Sequence, residues 1–265
     1  MRPLFPLAYY KLLQGGALLY MKLYCVGCGP GDPELLTVKA VNLIKSAEVI
    51  FAPTAREGKP SIALSVVDQY IDKSSAKTAS LVFPMVKDRE SLKDYWRRNA
   101  DEIAAAVRTG KKVVYLTVGD PALYSTWIYV HRELKRSHPD VEVEIVPGVA
   151  SMFAIANKAK ISLAEGDETV AIVPACYDMD RVRRTASACD TVIFLKDGRY
   201  FDSVIDMLGE AGFPDDATIA IAQDVSAPEG EILEVTKLAD QRGRKGPAEK
   251  YFSIMVAKKK NGVGQ

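Results

Sequence analysis

The sequence has almost no surplus of charge of either sign: Lys and Arg number 35 against 34 Asp and Glu. So close a balance supplies no chain-wide field for a nucleic-acid backbone or an anionic membrane, and any anionic ligand must be gripped by local charges. Cysteine is scarce, with four thiols (Cys25, Cys28, Cys176, Cys189) in 265 residues. That is far below the density of a disulfide scaffold, so a reducing cytoplasm is the expected compartment. The two histidines are His131, on a predicted helix, and His138, just before Pro139. Loop-edge histidines seldom act alone as bases, and both are read as surface residues. Long apolar runs are missing as well, and none approaches a bilayer span. The most apolar candidate, the first twenty residues, is broken by Arg2, Lys11 and two prolines. A secretory signal is the weaker reading there, because its small-residue site Gly15-Gly16-Ala17 stands directly before a strand that the fold needs. Residues 1–20 are read as an N-terminal extension, with Met21 as the natural beginning.

What is present is enough apolar content, 48%, for one large core or two modest ones. From Met21 onward short β-branched runs alternate with longer helical stretches, which predicts parallel β-α-β architecture. Strands are expected at Leu23 to Val26, Val49 to Phe51, Ser80 to Phe83, Val113 to Thr117 and Val141 to Val146. Helices are expected at Glu34 to Ser46, Ile62 to Tyr70, Arg89 to Arg108 and Ala122 to Ser137. After Pro147-Gly148 come a helix at Val149 to Lys158 and strands at Thr169 to Val173, Thr191 to Leu195 and Thr218 to Ala222, with helices at Met179 to Ser187 and Tyr200 to Ala211. The last two strands, Ile232 to Val235 and Phe252 to Ala257, are separated by a polar stretch around Gly-Arg-Lys-Gly-Pro that reads as a loop, so they are expected to be antiparallel. The fold class is α/β in two domains, 21–147 with a parallel five-stranded sheet and 148–260 with a mixed five-stranded sheet.

The strongest local feature is Val26-Gly27-Cys28-Gly29-Pro30-Gly31-Asp32-Pro33, between the first strand and the first helix. Asp32 suits a helix N-cap and Pro33 the first helical position, where its missing donor costs nothing. The alternating glycines let backbone approach a ligand closely. A dinucleotide fingerprint needs a third glycine where Asp32 stands, and a carboxylate there would repel a pyrophosphate. A Walker loop is missing its Gly-Lys-Ser/Thr. A second strand runs into a second Gly-Asp-Pro at Gly119-Asp120-Pro121, and both loops fall at carboxyl ends of predicted strands, the edge where open α/β sheets bind ligands. Either copy alone could be efficient strand-to-helix punctuation.

Taken with Pro147-Gly148-Val149-Ala150-Ser151, these loops make the chain resemble the tetrapyrrole methylase family, whose members carry a Gly-x-Gly-Pro-Gly-Asp loop, a Gly-Asp-Pro loop and a Pro-Gly-x-Ser/Thr segment in that order. The resemblance runs from about Met21 to Lys258. Within the family, Gly-Asp-Pro-Ala-Leu-Tyr-Ser-Thr at 119–126 and Phe-Leu-Lys-Asp-Gly-Arg at 194–199 are similar to the branch that methylates C-20 of precorrin-2 or cobalt-factor II. The resemblance implies the tetrapyrrole methylase fold, S-adenosylmethionine as methyl donor in the cleft between two α/β domains, S-adenosylhomocysteine as product, and a homodimer. Carried over residue by residue, the cofactor contacts fall on Pro30, Gly119, Asp120, Leu123, Ala150, Ser151, Lys196 and Val225. Ala150-Ser151 reverses the order found in some members, and Val225 lies in a variable loop.

Methyl transfer from a sulfonium is an in-line displacement on an already nucleophilic carbon, so the protein has mainly to orient two reactants. Tyr124, four residues after Asp120, is the candidate for placing the substrate or removing the C-20 proton; its alternative is an aromatic anchor packed against Trp127. A substrate rich in carboxylates needs local cations, and the candidates near strand ends are Arg56, Arg89, Arg199 and Lys196, although any one of them could simply face water. No metal site is expected: Cys25-Val26-Gly27-Cys28 lacks a second ligand pair and reads as small buried hydrophobes. The run Lys258-Lys259-Lys260 reads as a solvated tail. Other functions stay open: a relative acting on another corrin position, on a modified histidine of the diphthine type or on ribosomal RNA, or a tetrapyrrole-binding protein without turnover.

Overall fold

The computed structural model describes residues 10–12, 18–84, 88–174, 176–195, 200–223, 232–244 and 253–260. The chain divides into two compact units, residues 1–150 and 151–265.

The first unit opens with a hairpin of β1 (Tyr10–Leu12) and β2 (Leu18–Tyr20), paired antiparallel. There follow β3 (Lys22–Gly27), α1 (Val38–Lys45), β4 (Val49–Thr54), α2 (Ile62–Val67), β5 (Lys77–Val82), α3 (Arg89–Val107), β6 (Val113–Thr117), α4 (Trp127–Ser137) and β7 (Glu142–Val146). The five strands from β3 onward form one wholly parallel sheet in the order β5-β4-β6-β3-β7. A parallel sheet covered on both faces needs apolar residues at every position of its central strands, and all five residues of β6 are buried. Period-two alternation decides which helices each residue meets. Val113 and Tyr115 join Leu23 and Cys25 under α3 and α4. Val114 and Leu116 join Val26 and Cys28 under α1 and α2. Each fully buried aliphatic side chain in these layers contributes on the order of 1.5–3 kcal/mol by area transfer, an upper estimate.

This topology creates a switch point. The connection from β3 carries α1 over one face towards β4, and the connection from β6 carries α4 over the opposite face towards β7. β3 and β6 are nevertheless neighbours, with Gly27 opposite Thr117. The crevice where adjacent strands send their helices to opposite faces is where open α/β sheets hold ligands.

The second unit runs α5 (Ser151–Lys158), β8 (Val170–Val173), α6 (Met179–Ser187), β9 (Thr191–Leu195), α7 (Phe201–Glu210), β10 (Thr218–Gln223), β11 (Ile232–Lys237), α8 (Leu238–Gln241) and β12 (Ser253–Lys258). Its sheet has the order β11-β10-β12-β9-β8 and is mixed, with only β8 and β9 paired in parallel. Five strands in each sheet, the first parallel and the second mixed, agree with the sequence-based expectation.

Several local expectations are corrected. The two last strands do not pair with each other: β10 lies between β11 and β12 and is antiparallel to both, so they run in the same direction. A plain hairpin loop cannot make that connection, and α8 lies in it. The helix expected from Glu34 is broken: a 3-10 turn at Pro33–Leu35 ends on extended Leu36, and α1 starts only after Thr37, whose hydroxyl accepts the Ala40 amide at 3.1 Å. Asp32 caps the short turn instead, accepting the Glu34 amide at 2.8 Å. The helix expected from Ala122 begins five residues later, at Trp127, because Tyr124 takes a left-handed conformation (φ 49°) that no right-handed helix accommodates.

The lysine run is not a solvated tail. Lys258 is 1% exposed, and its ammonium donates to Glu168 at 2.9 Å and to the Ser162 carbonyl at 3.0 Å. A buried ammonium has to be paired in this way. Lys259 donates to the Ser187 carbonyl at 3.1 Å and lies over the Phe213 ring. Neither histidine is a bare surface residue either: His131 stacks on buried Trp127 with ring centroids 5.2 Å apart, and His138 meets Asp101 at 2.7 Å and Arg108 at 3.0 Å.

Candidate functional site: a glycine-laced strand edge

Three loops leave the adjacent strands β6, β3 and β7 at their carboxyl ends, and backbone contacts lace them together. The Cys28 amide donates to the Thr117 carbonyl at 2.8 Å, the Gly29 amide to the Gly119 carbonyl at 3.3 Å, and the Gly119 amide back to the Gly29 carbonyl at 2.7 Å. The two Gly-rich loops are therefore one reciprocally bonded unit. Gly148, after β7, packs against both. A Cβ there would lie 2.4 Å from the Gly119 carbonyl oxygen and 2.8 Å from the Gly27 carbonyl carbon, contacts that no real side chain makes. Gly119 is glycine for a different reason: its φ of 70° disfavours a side chain, and nothing lies within 4 Å of where one would start.

Asp120 organises this edge. One carboxylate oxygen accepts the Ala122 amide at 2.8 Å within its own loop, and the other accepts the Gly148 amide at 3.0 Å from the loop after β7. Both are charge-assisted bonds, stronger than neutral ones. The Leu123 amide then closes a turn onto the Asp120 carbonyl at 3.2 Å. Beyond it, the Ser125 and Thr117 hydroxyls share a buried hydrogen bond of 2.7 Å, and Ser125 accepts the Trp127 amide at 3.1 Å. Between Leu123 and Ser125, both held by hydrogen bonds, Tyr124 is 43% exposed with its positive φ. Trp127 lies beside Tyr115 and His131.

The thiols beneath the edge are inert. Cys25 and Cys28 are fully buried in clusters on opposite faces of the sheet. Burial pushes Cys28 up to about 12. It also pushes Cys25 well up, with smaller contributions from Cys28 and Asp120. Neither supplies a thiolate near neutral pH.

Of the residues expected at the site, the structure brings Pro30 (buried), Gly119, Asp120, Leu123 (half-buried) and Tyr124 to this one edge. Ala150 is the buried last residue of the first unit, and Ser151 opens α5 in the second. Arg56 is exposed in the turn after β4, where its carbonyl accepts the Thr54 hydroxyl at 3.1 Å. Arg89 opens α3, but its side chain lies outside the described residues, as do Lys196, Arg199 and Val225 altogether. Reasoning from sequence passed over Gly27 and Gly148 as contact points. The available signal was a glycine at or just past the end of each of three strands, which only strand order turns into a cluster.

Fold and edge together define a two-unit α/β protein whose candidate ligand edge is laced together by backbone, with the Asp120 side chain holding two of its loops. The same architecture is found in the X-ray structure of a cobalt precorrin-4 methyltransferase, a cobalamin biosynthetic enzyme, at TM-score 0.69 and 24% identity over 90% of this chain and 95% of that one. It is also found in a uroporphyrin-III C-methyl transferase from Thermus thermophilus complexed with S-adenosyl homocysteine, at TM-score 0.58 and 21% identity over 89% and 97%. The sequence model of the tetrapyrrole (corrin/porphyrin) methylases matches residues 22–241, and the chain belongs to that family. Among curated relatives, a protein of Methanocaldococcus jannaschii named a probable cobalt-precorrin-2 C(20)-methyltransferase is 40% identical over 178 residues, 67% of this chain and 73% of that protein. The cobalt-precorrin-2 C(20)-methyltransferase of Salmonella typhimurium is 34% identical over 191 residues, 72% and 79% of the two chains.

Proposed function

We propose that this chain is an S-adenosylmethionine-dependent C-methyltransferase that methylates C-20 of precorrin-2 or cobalt-factor II during corrin ring biosynthesis. The observation that carries the reading is that relatives 40% and 34% identical over most of the chain both bear the C(20) activity in their names. S-adenosylmethionine as donor is supported by the S-adenosylhomocysteine complex of a neighbour of the same fold.

The edge of the first unit fits such a donor on its own geometry. The open space above Gly119 is space that a Cβ would intrude upon, and the Asp120 carboxylate accepts two loop amides. When bound, the donor supplies an electrophilic methyl on sulfur. Pro30, Gly119, Leu123, Ala150 and Ser151 are the residues that would hold it, through backbone and close packing, with Asp120 fixing the loops; Lys196 and Val225 complete the proposed set. Orientation of two reactants can lower a barrier by roughly 7–11 kcal/mol, which fits an edge built for placement. Tyr124 contacts the tetrapyrrole, where it either places the substrate or, as the phenolate, takes the proton leaving C-20. Arg56, Arg89 and Arg199 pair with the substrate's carboxylates. A cobalt ion, where present, belongs to the substrate. The free thiols Cys25, Cys28, Cys176 and Cys189 suit a reducing cytoplasm, and the family resemblance supports a homodimer.

The test is incubation with methyl-labelled S-adenosylmethionine and either precorrin-2 or cobalt-factor II, with the label located by NMR. Label at C-20 is expected; label at another ring position, or in neither product, contradicts the reading.

A further inference from the structure

Tyr177, in the second unit, is 80% exposed. It follows β8 at the strand's carboxyl end. Cys176 on one side of it is 1% exposed within the core cluster. Asp178 on the other side caps α6, accepting the Arg181 amide at 3.0 Å. With a buried residue and a helix cap as its neighbours in the chain, the ring is presented to solvent instead of folding back over the core. Its aromatic neighbour is Tyr200, the N-cap of α7 that follows β9, itself packed against the same core. The two ring centroids are 6.3 Å apart with planes at 89°, an edge-to-face pair.

β8 and β9 are parallel neighbours, so this pair stands at the carboxyl end of the parallel part of the second sheet, the end at which α/β sheets bind ligands. An exposed ring, paired edge-to-face with a second ring, is matched to a broad conjugated face. We infer that Tyr177 is a substrate contact that lies against the conjugated macrocycle of the tetrapyrrole, and that Tyr200 is the positioning residue behind it. The inference rests on the proposal above that the substrate is a tetrapyrrole. Recognition is through the ring and not the hydroxyl, which separates this contact from the arginines that would take the carboxylate rim.

The experiment titrates the full chain with cobalt-factor II, followed by absorbance in the presence of saturating S-adenosylhomocysteine. Tyr177→Ala is expected to weaken cobalt-factor II binding about tenfold, and Tyr177→Phe to stay within about twofold of the wild-type value. Tyr200→Leu weakens it by less than Tyr177→Ala does, and Tyr200→Phe restores it. Calorimetric affinity for S-adenosylhomocysteine stays unchanged in all four variants, which shows that each is folded. Wild-type binding that Tyr177→Ala leaves intact overturns the inference alone, and a Phe variant as weak as the Ala variant overturns the stacking role. Failure of the wild-type protein itself to bind either cobalt-factor II or precorrin-2 overturns the substrate reading together with it.

Discussion

The Asp120 carboxylate holds the Gly148 amide at 3.0 Å across two loops that are 28 residues apart in sequence. Its other oxygen holds Ala122 at 2.8 Å. Because β6 and β7 flank β3, this one side chain ties the outer two of three adjacent strand ends, while Gly29 and Gly119 tie β3 to β6. The edge is thus held together by bonds between its own loops.

Asp120→Asn replaces one acceptor oxygen with an NH2 group that faces an amide donor. The expected loss is roughly 1–3 kcal/mol of stability, read by denaturant unfolding. Calorimetry is expected to show weaker S-adenosylhomocysteine binding in Asp120→Asn and still weaker binding in Asp120→Ala, since Ala removes both bonds. Unchanged affinity in both would show that the bridge does not shape the ligand edge.

Gly148→Ala forces a methyl to within 2.4 Å of the Gly119 carbonyl oxygen. The obstructing atoms are backbone, so relief requires the loops to part. A destabilisation of about 1–3 kcal/mol or more is expected from the overpacking, together with loss of S-adenosylhomocysteine binding. A variant with wild-type stability and affinity would contradict the close packing of the three glycines.

Tyr124 is a test of strain held for function. Left-handed backbone costs a non-glycine residue on the order of 1–2 kcal/mol, and such residues gather at functional sites. Tyr124→Gly, with φ at 49° in the native chain, is expected to be neutral to stabilising by up to about 1 kcal/mol after its greater unfolded-state entropy is counted, while methyl transfer falls. Tyr124→Phe separates ring from hydroxyl: unchanged turnover would remove the hydroxyl from the mechanism.

At the amino-terminal end of the first sheet, Lys22 is 7% exposed and paired with Glu142 at 3.2 Å and with Glu144, which also meets Lys39. Lys22 and then Lys39 hold the Glu144 carboxyl below its ordinary range. A carboxyl lowered in the folded state contributes stability that is full above its unfolded value of about 4.3 and is lost as pH falls through the folded value. Glu144→Gln should therefore be less stable at neutral pH and lose stability less steeply below about pH 5, measured by urea unfolding across that range. Parallel pH profiles for the two proteins would refute the coupling.

Much of the fold was legible because burial on both faces of a parallel strand writes itself as a continuous apolar run: β6 was expected at Val113 to Thr117 and lies there. Strand order was not legible, since it depends on long-range pairing. That is why β11 and β12, read as antiparallel, turned out to run in the same direction with β10 between them. Helix starts failed where side chains compete with the backbone, as at Thr37 and around Asp120 and Ser125, whose local hydrogen bonds delay or interrupt a helix that composition alone permits. Lys258 shows a third limit: three consecutive lysines look solvated, and only the fold places Glu168 beside the first of them. At the site, the Gly-Asp-Pro loops were visible as motifs, but the role of Asp120 as a bridge was not, because its partner Gly148 is a neighbour only after the sheet has formed.

The most direct measurement of the central claim is a crystal structure of the full chain grown with S-adenosylhomocysteine. The thioether product is expected against the backbone of Pro30 and of residues 119–123 at the carboxyl ends of β3 and β6, with the Asp120 carboxylate still on the Gly148 amide. Product bound away from these loops, or a saturating soak that leaves no product bound, would contradict it.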